Sequence, residues 1–290
     1  MSGAKSIGSL ETYEPEDKSF SKHVIQEGTG DTSPNEASVC TVLVDPMGQS
    51  VTPAIEAALG NYKIGDRCEV TIGESTTFLA ELLDKVLMSM KEGETAYVKS
   101  KINSDGQKMD SFGVNDAAFK CNVSLFEMSR AAQSDDLEQD ERIERAQHYK
   151  DSGTELFREG NTHFAIKRYQ RSLDYLADID KHGSVPNVVR SQQILLRGQC
   201  NFNLAACYLK QAKYSDVVHH CTLGLNVDSD NLKGLYRRGQ AYMKLNQYDE
   251  AKGDYHRALA LDPSNKATAN QLALLNGMIR KEKEMYKRMF

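Results

Sequence analysis

The sequence predicts an α+β amino-terminal domain, an antiparallel sheet with one helix, followed by an all-α superhelix of stacked helical pairs that ends in a capping helix. Three observations predict it. Short β-rich runs separated by turn signals fill the first half, a single stripe of helical period interrupts them, and a 34-residue internal repeat dominates the second half. A length of 290 residues agrees with two domains rather than one core.

Residues 1–18 read as a flexible amino terminus and 19–130 as the first domain. Its strand candidates are Phe20 to Gln26, Ser38 to Val44, Arg67 to Ile72, Thr95 to Ile102 and Phe119 to Met128, all rich in Val, Ile, Phe, Tyr or Thr. Between them Leu79, Leu82, Leu83, Val86, Leu87 and Met90 recur at i, i+3, i+4, i+7, i+8 and i+11, one apolar face of a helix that Gly93 can end. Such a face needs a sheet to cover it, and the strands supply one.

Residues 131–145, with Asp135, Asp136, Glu138, Asp140, Glu141 and Glu144, read as a charged linker leading into a helix. The repeat follows. Within Leu232 to Asn265, Gly239, Tyr242, Ala251, Tyr255, Ala258 and Pro263 stand at unit positions 8, 11, 20, 24, 27 and 32, which match the tetratricopeptide pattern. Shifting back 34 residues puts Ala205, Tyr208, Val217, Cys221 and Gly224 in the same places of 198–231. A further unit, 146–179, has Tyr149, Gly153, Ala165 and Tyr169 in register, with an insertion of 18 residues before the next. Small residues at 8, 20 and 27 let paired helices approach, while large ones at 4, 11 and 24 fill the adjoining gaps. Residues 266–290, with Leu272, Leu275, Ile279 and Met285, read as the capping helix that an array of three repeats requires.

Composition narrows the function. Against 36 Lys+Arg stand 41 Asp+Glu, a formal charge of -5, which argues against a general binder of nucleic-acid backbone. No run approaches the roughly 18 apolar residues of a membrane span, and the start has no signal-peptide core, so the expected setting is cytoplasmic or nuclear. Six cysteines without a CxxC pair are expected as reduced thiols. The adjacent His219, His220 and Cys221 diverge by about 100° per residue on a helix and are read as packing rather than a metal site. The GxG of Gly28 and Gly30 reads as a turn, and no cofactor is implied.

On the first helix of each unit, positions 2, 5, 6 and 9 lie roughly 200° from the packing stripe and face away from it. They carry Gln147, Lys150, Asp151 and Thr154, then Gln199, Phe202, Asn203 and Ala206, then Lys233, Tyr236, Arg237 and Gln240. Lys150, Lys233 and Arg237 against one acid, Asp151, make a local cationic patch in an acidic chain. Cations and amides of this kind hold carboxylates by charge-assisted hydrogen bonds of roughly 1.5 to 3 kcal/mol each, enough for a short acidic peptide at around micromolar strength.

The segments KDSGTELFREGN, NFNLAACYLK and LKGLYRRGQAY resemble the three-repeat tetratricopeptide (TPR) domain of the large FK506-binding (FKBP) immunophilins. That family binds the acidic C-terminal peptide of heat shock protein 90 through a clamp on two carboxylates, the terminal Asp side chain and the main-chain end. The resemblance implies clamp residues Lys150, Asn203, Lys233 and Arg237, with Thr154 where many clamps carry asparagine. It implies heat shock protein 90, or heat shock protein 70, as the partner of a co-chaperone.

HVIQEGTGD and AELLDKVLMSMKEGETAYV resemble the opening strand and the helix of the same family's prolyl-isomerase domain. Active members wall a prolyl bond with aromatics over a tryptophan. Here the chain has no tryptophan, Leu83 stands at that position, and Cys121 replaces a pocket phenylalanine. The expectation is therefore a degenerate domain with no catalytic residues, not an enzyme. The alternative is an active peptidyl-prolyl cis-trans isomerase that carries a TPR docking domain.

Overall fold

The computed structural model describes residues 12–48, 51–101, 119–177 and 186–289. The chain divides into two compact units, residues 1–133 and 134–290.

In the first unit, β1 (Thr12–Tyr13), β2 (Phe20–Gln26), β3 (Val39–Asp45), β4 (Cys68–Thr71), β5 (Thr95–Ser100) and β6 (Lys120–Ser129) form one antiparallel sheet in the order β1-β2-β5-β6-β3-β4. The long alternating strand β6 lies between β5 and β3, and buries Cys121, Val123 and Leu125 on one face. Helix α2 (Phe78–Leu87) covers that face. Thr77 caps it by accepting from the Ala80 N–H at 3.3 Å, and its buried Leu79, Leu82, Leu83, Val86 and Leu87 join Val42, Val44, Val98, Val123 and Leu125 in one core. Each such side chain contributes about 1.5 to 3 kcal/mol by leaving water.

Four readings are corrected here. A second helix, α1 (Pro53–Leu59), starts at the Thr52 cap with Pro53 in its first turn; with Leu59 its one buried residue, it leaves no apolar period to read. The stretch 1–18 is not wholly flexible, since β1 pairs with β2, Glu14 bonds Lys101 and Asp17 bonds Lys85; residues 1–11 lie outside the described part. Helix α2 ends at Leu87, and Met90 is buried in the turn beyond. Gly93 shapes the entry to β5 instead, with φ of 81° and its N–H on the Leu125 carbonyl at 2.8 Å. Ile102, at the end of the fourth strand candidate, lies outside the described residues.

A carboxyl of α2 is buried in this core. Asp84 accepts from the Tyr62 hydroxyl at 2.5 Å and from the Gly73 N–H at 3.0 Å, linking α2 to the chain before and after β4. Burial nevertheless raises its pKa to about 6, outweighing the bonds that lower it.

The second unit is helical: α3 (Gln139–Arg158), α4 (Thr162–Leu176), α5 (Asn187–Lys210), α6 (Tyr214–Leu225), α7 (Leu232–Lys244), α8 (Tyr248–Leu261) and α9 (Lys266–Met289). Close crossing is built where the repeat places small residues. A Cβ on Gly153 would lie 2.9 Å from the Tyr169 ring, and one on Gly239 would lie 2.7 Å from the Tyr255 ring, so positions 8 and 24 pack ring against backbone. In the middle repeat Ala205 and Cys221 share one buried cluster instead. Phe202 fills the joint to the next pair: it is buried, and a Cβ on Gly224 would sit 2.6 Å from its ring. Arg238 ties α7 to α8 by donating two hydrogen bonds to the Asp254 carboxylate, at 2.8 and 2.7 Å, and donates to Thr222 of α6 at 3.1 Å.

The charged stretch 131–145 is less a linker than expected. A 3-10 turn at Ser134–Asp136 precedes α3, whose first turn is held by reciprocal capping between Glu138 and Glu141. Arg142 is fully buried, with Nε donating to the Tyr175 carbonyl at 3.2 Å and Nη2 to that of Ala177. It satisfies carbonyls that the end of α4 leaves open. The insertion before 198 is in part helix, since α5 begins at Asn187; Val189 and Leu196 cover the Tyr149, Tyr175 and Leu176 cluster, and Gln193 donates to the Leu176 carbonyl at 2.9 Å. In α9, Leu275 is buried with Met243 and Tyr255 as a cap requires, whereas Met285 is exposed.

Phe202→Ala should cost the helical unit about 3 to 5 kcal/mol in urea unfolding, because Gly224 and Gly234 cannot collapse into the vacated volume. Asp84 titrates above its unfolded value of roughly 3.9, so the unfolded chain releases this proton first and stability falls as pH rises from about 4 to about 6. Relative to Asp84→Asn, the wild type should lose on the order of 3 kcal/mol between pH 4 and 7, measured by denaturant unfolding at each pH.

Candidate peptide-binding groove

First helices of successive pairs stand side by side, α3 against α5 and α5 against α7, and form the inner face of the helical unit. Asn231 starts α7 by accepting from the Gly234 N–H at 2.9 Å, which fixes Lys233 in the first turn and Arg237 one turn on, on the same side. Both line a cleft of about 420 Å³ with Leu209, Leu232, Tyr236 and Gln240. Lys233 is exposed. Arg237 is half-buried, and donates through Nη1 to the Phe202 carbonyl at 3.1 Å, which uses one of five N–H donors and locks the fork. Burial lowers its pKa, partly offset by Cys221 and Cys207, but a guanidinium stays charged.

The other expected residues fare differently. Asn203 is half-buried on α5, next to the Phe202 carbonyl that holds Arg237, but does not line the cleft. Lys150 and Thr154, on α3, do not line it either. Lys150 pairs with Asp151 at 2.9 Å, and Gln147 donates to the same carboxylate at 2.6 Å. Burial pushes the Asp151 pKa up, but the bonds from Lys150 and Gln147 prevail and hold it below the usual carboxylate range. Thr154 donates its hydroxyl proton to the Lys150 carbonyl at 2.9 Å and accepts from the Tyr169 hydroxyl at 3.3 Å.

Phe202 and Ala206, expected on the exposed stripe, are buried; the joint between pairs takes them. Asn265 and Ala267 also line the cleft and were missed, because they come from the start of the following helix and no period within one helix points to them. His220 bonds Asn201 at 2.9 Å and stacks on Tyr208, and burial lowers its pKa to about 4. No helix among the described residues is long and apolar enough to cross a membrane.

In the first unit Leu83 and Cys121 are both fully buried, and burial, aided by Asp45, pushes the Cys121 thiol up to about 12.

Comparison with known proteins follows this division. Residues 13–130 match the family model described as BDBT FKBP like N-terminal, and residues 232–265 match the tetratricopeptide repeat. The peptidyl-prolyl cis-trans isomerase FKBP4 of Homo sapiens is 30% identical across 96% of this chain and 59% of its own length. The peptidyl-prolyl cis-trans isomerase FKBP42 of Arabidopsis thaliana is 28% identical across 94% of this chain and 76% of its own. A crystal structure of residues 1–211 of CG17282 superposes with a TM-score of 0.51 at 21% identity, covering 71% of this chain and 96% of that one, and so shares the fold. The chain spans 59% of the length of the FKBP4 relatives it matches.

These relatives correct the expectation that the chain is not an enzyme: proteins named as isomerases align with nearly all of it. The physical reason is that the absence of tryptophan speaks only of composition: an apolar core position can be filled without an indole, and Leu83, fully buried, fills one here.

Proposed function

We propose that this chain, homologous to FKBP4 and FKBP42, is an immunophilin in which an FKBP-like peptidyl-prolyl cis-trans isomerase domain is carried with a TPR module that docks the acidic C-terminal peptide of heat shock protein 90, heat shock protein 70 competing for the same groove. The single observation that carries the docking reading is the cleft in which Lys233 and Arg237 stand one turn apart. Lys233 offers three donors on a mobile stem, Arg237 a preoriented fork, and Asn203 an amide beside it. Charge-assisted bonds from such a set, at roughly 1.5 to 3 kcal/mol each before ordering costs, support micromolar affinity for a carboxylate-bearing peptide. Lys150 and Thr154 belong to the same inner face but are engaged within α3, so they join only after Asp151 gives way.

For the isomerase, the chemistry needs little from the protein beyond an apolar cup. Rotation about the C–N bond passes through a twisted amide that has lost its resonance, and a site that excludes water favours that less polar form over the planar one, against a barrier of roughly 18 to 20 kcal/mol. Leu83, fully buried on the covered face of α2, is the residue we place beneath that cup, as packing rather than as a contact with substrate.

Isothermal titration with the chaperone's acidic peptide should give micromolar binding that Lys233→Ala and Arg237→Ala each weaken about tenfold or more. Equal heats for the wild type and both variants would remove the docking reading. In a prolyl-peptide isomerisation assay the full chain should accelerate cis-to-trans conversion at least about tenfold over buffer, a barrier drop near 1.4 kcal/mol. A rate indistinguishable from the uncatalysed one would sink the enzymatic half alone.

A further inference from the structure

The cationic cleft does not end at Gln240. Leu209 and Gln240 also line a second cleft of about 340 Å³, whose other walls include Tyr214, Met243, Leu274 and Met278. The inner face therefore offers, side by side, a seat for one carboxylate and a seat for one large apolar side chain. Met243 and Met278 give the second seat adaptable, polarizable walls.

At the other end of the stripe the situation is reversed. Asp151 directly follows Lys150 and pairs with it at 2.9 Å, so the pair carries no net charge and a second incoming carboxylate meets a negative charge beside the lysine. Thr154 has a single O–H donor, and that proton is spent on the Lys150 carbonyl. An asparagine there would bring two N–H donors. The α3 end thus lacks both the net charge and the free donor that a second carboxylate would need.

We propose that this groove recognises one acidic side chain together with a neighbouring large aliphatic or methionine side chain, and that it does not require the free carboxyl end of a peptide; acidic-apolar segments inside a chain are ligands as well as chain ends. This rests on the docking reading above and narrows it.

The test uses the full chain and fluorescently labelled peptides based on the acidic chaperone terminus, read by anisotropy. Four peptides suffice: free carboxylate, C-terminal amide, acidic side chain replaced by its amide, and apolar residue replaced by alanine. Amidation of the chain end should weaken binding by less than about threefold, whereas each side-chain replacement should weaken it about tenfold or more. Leu274→Glu, at a position 56% exposed where a charge stays in solvent, should weaken the parent peptide and leave the alanine peptide unchanged. Asp151→Asn should create a preference for the free carboxylate of about tenfold, by releasing Lys150. Loss of binding on amidation in the wild type would overturn the inference and leave the docking reading standing. Failure of every peptide to bind would remove both.

Discussion

A tyrosine ring lying against a missing side chain is the contact on which the helical unit depends. Tyr169 over Gly153 and Tyr255 over Gly239 bring the two helices of a pair closer than any Cβ would permit. Dispersion at that contact is gained only at short range, so the ring and the glycine act as one device. The device recurs in the first and third pairs, Ala205 and Cys221 take its place in the second, and the first helices of successive pairs fall side by side. The inner face, and with it the spacing of Lys233, Arg237 and the apolar seat beyond Gln240, is a consequence of that stacking rather than of any bond among those residues.

Local charge within an acidic chain is the second constraint. With a net of -5, the surface as a whole repels an acidic peptide, and a cationic cleft attracts one only if its charge is not cancelled nearby. Around Arg237 this condition holds. Cys207 and Cys221, the groups that act on its guanidinium, are pushed up to about 12 by burial and remain neutral thiols. The neighbouring Arg238, by contrast, is spent structurally on Asp254, which raises its pKa and removes it from any ligand. Two consecutive arginines therefore do different work: one holds helices together, the other spends one donor on the Phe202 carbonyl and lines the cleft.

Much of the fold is legible in the sequence because burial imposes period. The stripe of α2 and the alternation of β3 and β6 exist since one face of each is dry, and the repeat shows because its glycines and tyrosines answer a steric demand. What escaped reading lacks such a signature. Helix α1 buries only Leu59, and β1 is held by two residue pairs and flanking ion pairs. The early start of α5 hides because the polar Gln193 stands on its buried face while the apolar Val188, Ile194 and Leu195 are exposed, and Arg142 passes for a surface charge until the carbonyls it satisfies are seen. For the groove, Lys233 and Arg237 follow from helical spacing on one element. Asn265 and Ala267 do not, since the distance between consecutive helices is a tertiary quantity.

Residue type also fixes how many donors a side chain owns, but not where they are spent. Read along the chain, Lys150 and Lys233 are equivalent cations at equivalent positions, yet one faces an anion on the adjacent residue and the other opens onto a cleft. Thr154 counts as a donor in the sequence and is already bonded in the structure. The same distinction governs the first unit, where the absence of tryptophan describes composition while the buried Leu83 describes how the core is filled. A binding face is defined by the valences its own fold leaves unfilled. In this chain Lys233 and Arg237 of α7 line one cleft, which shares Leu209 and Gln240 with the second that runs toward Met278, and under the docking reading proposed above it is this carboxyl-terminal part of the array, rather than α3, that selects the ligand.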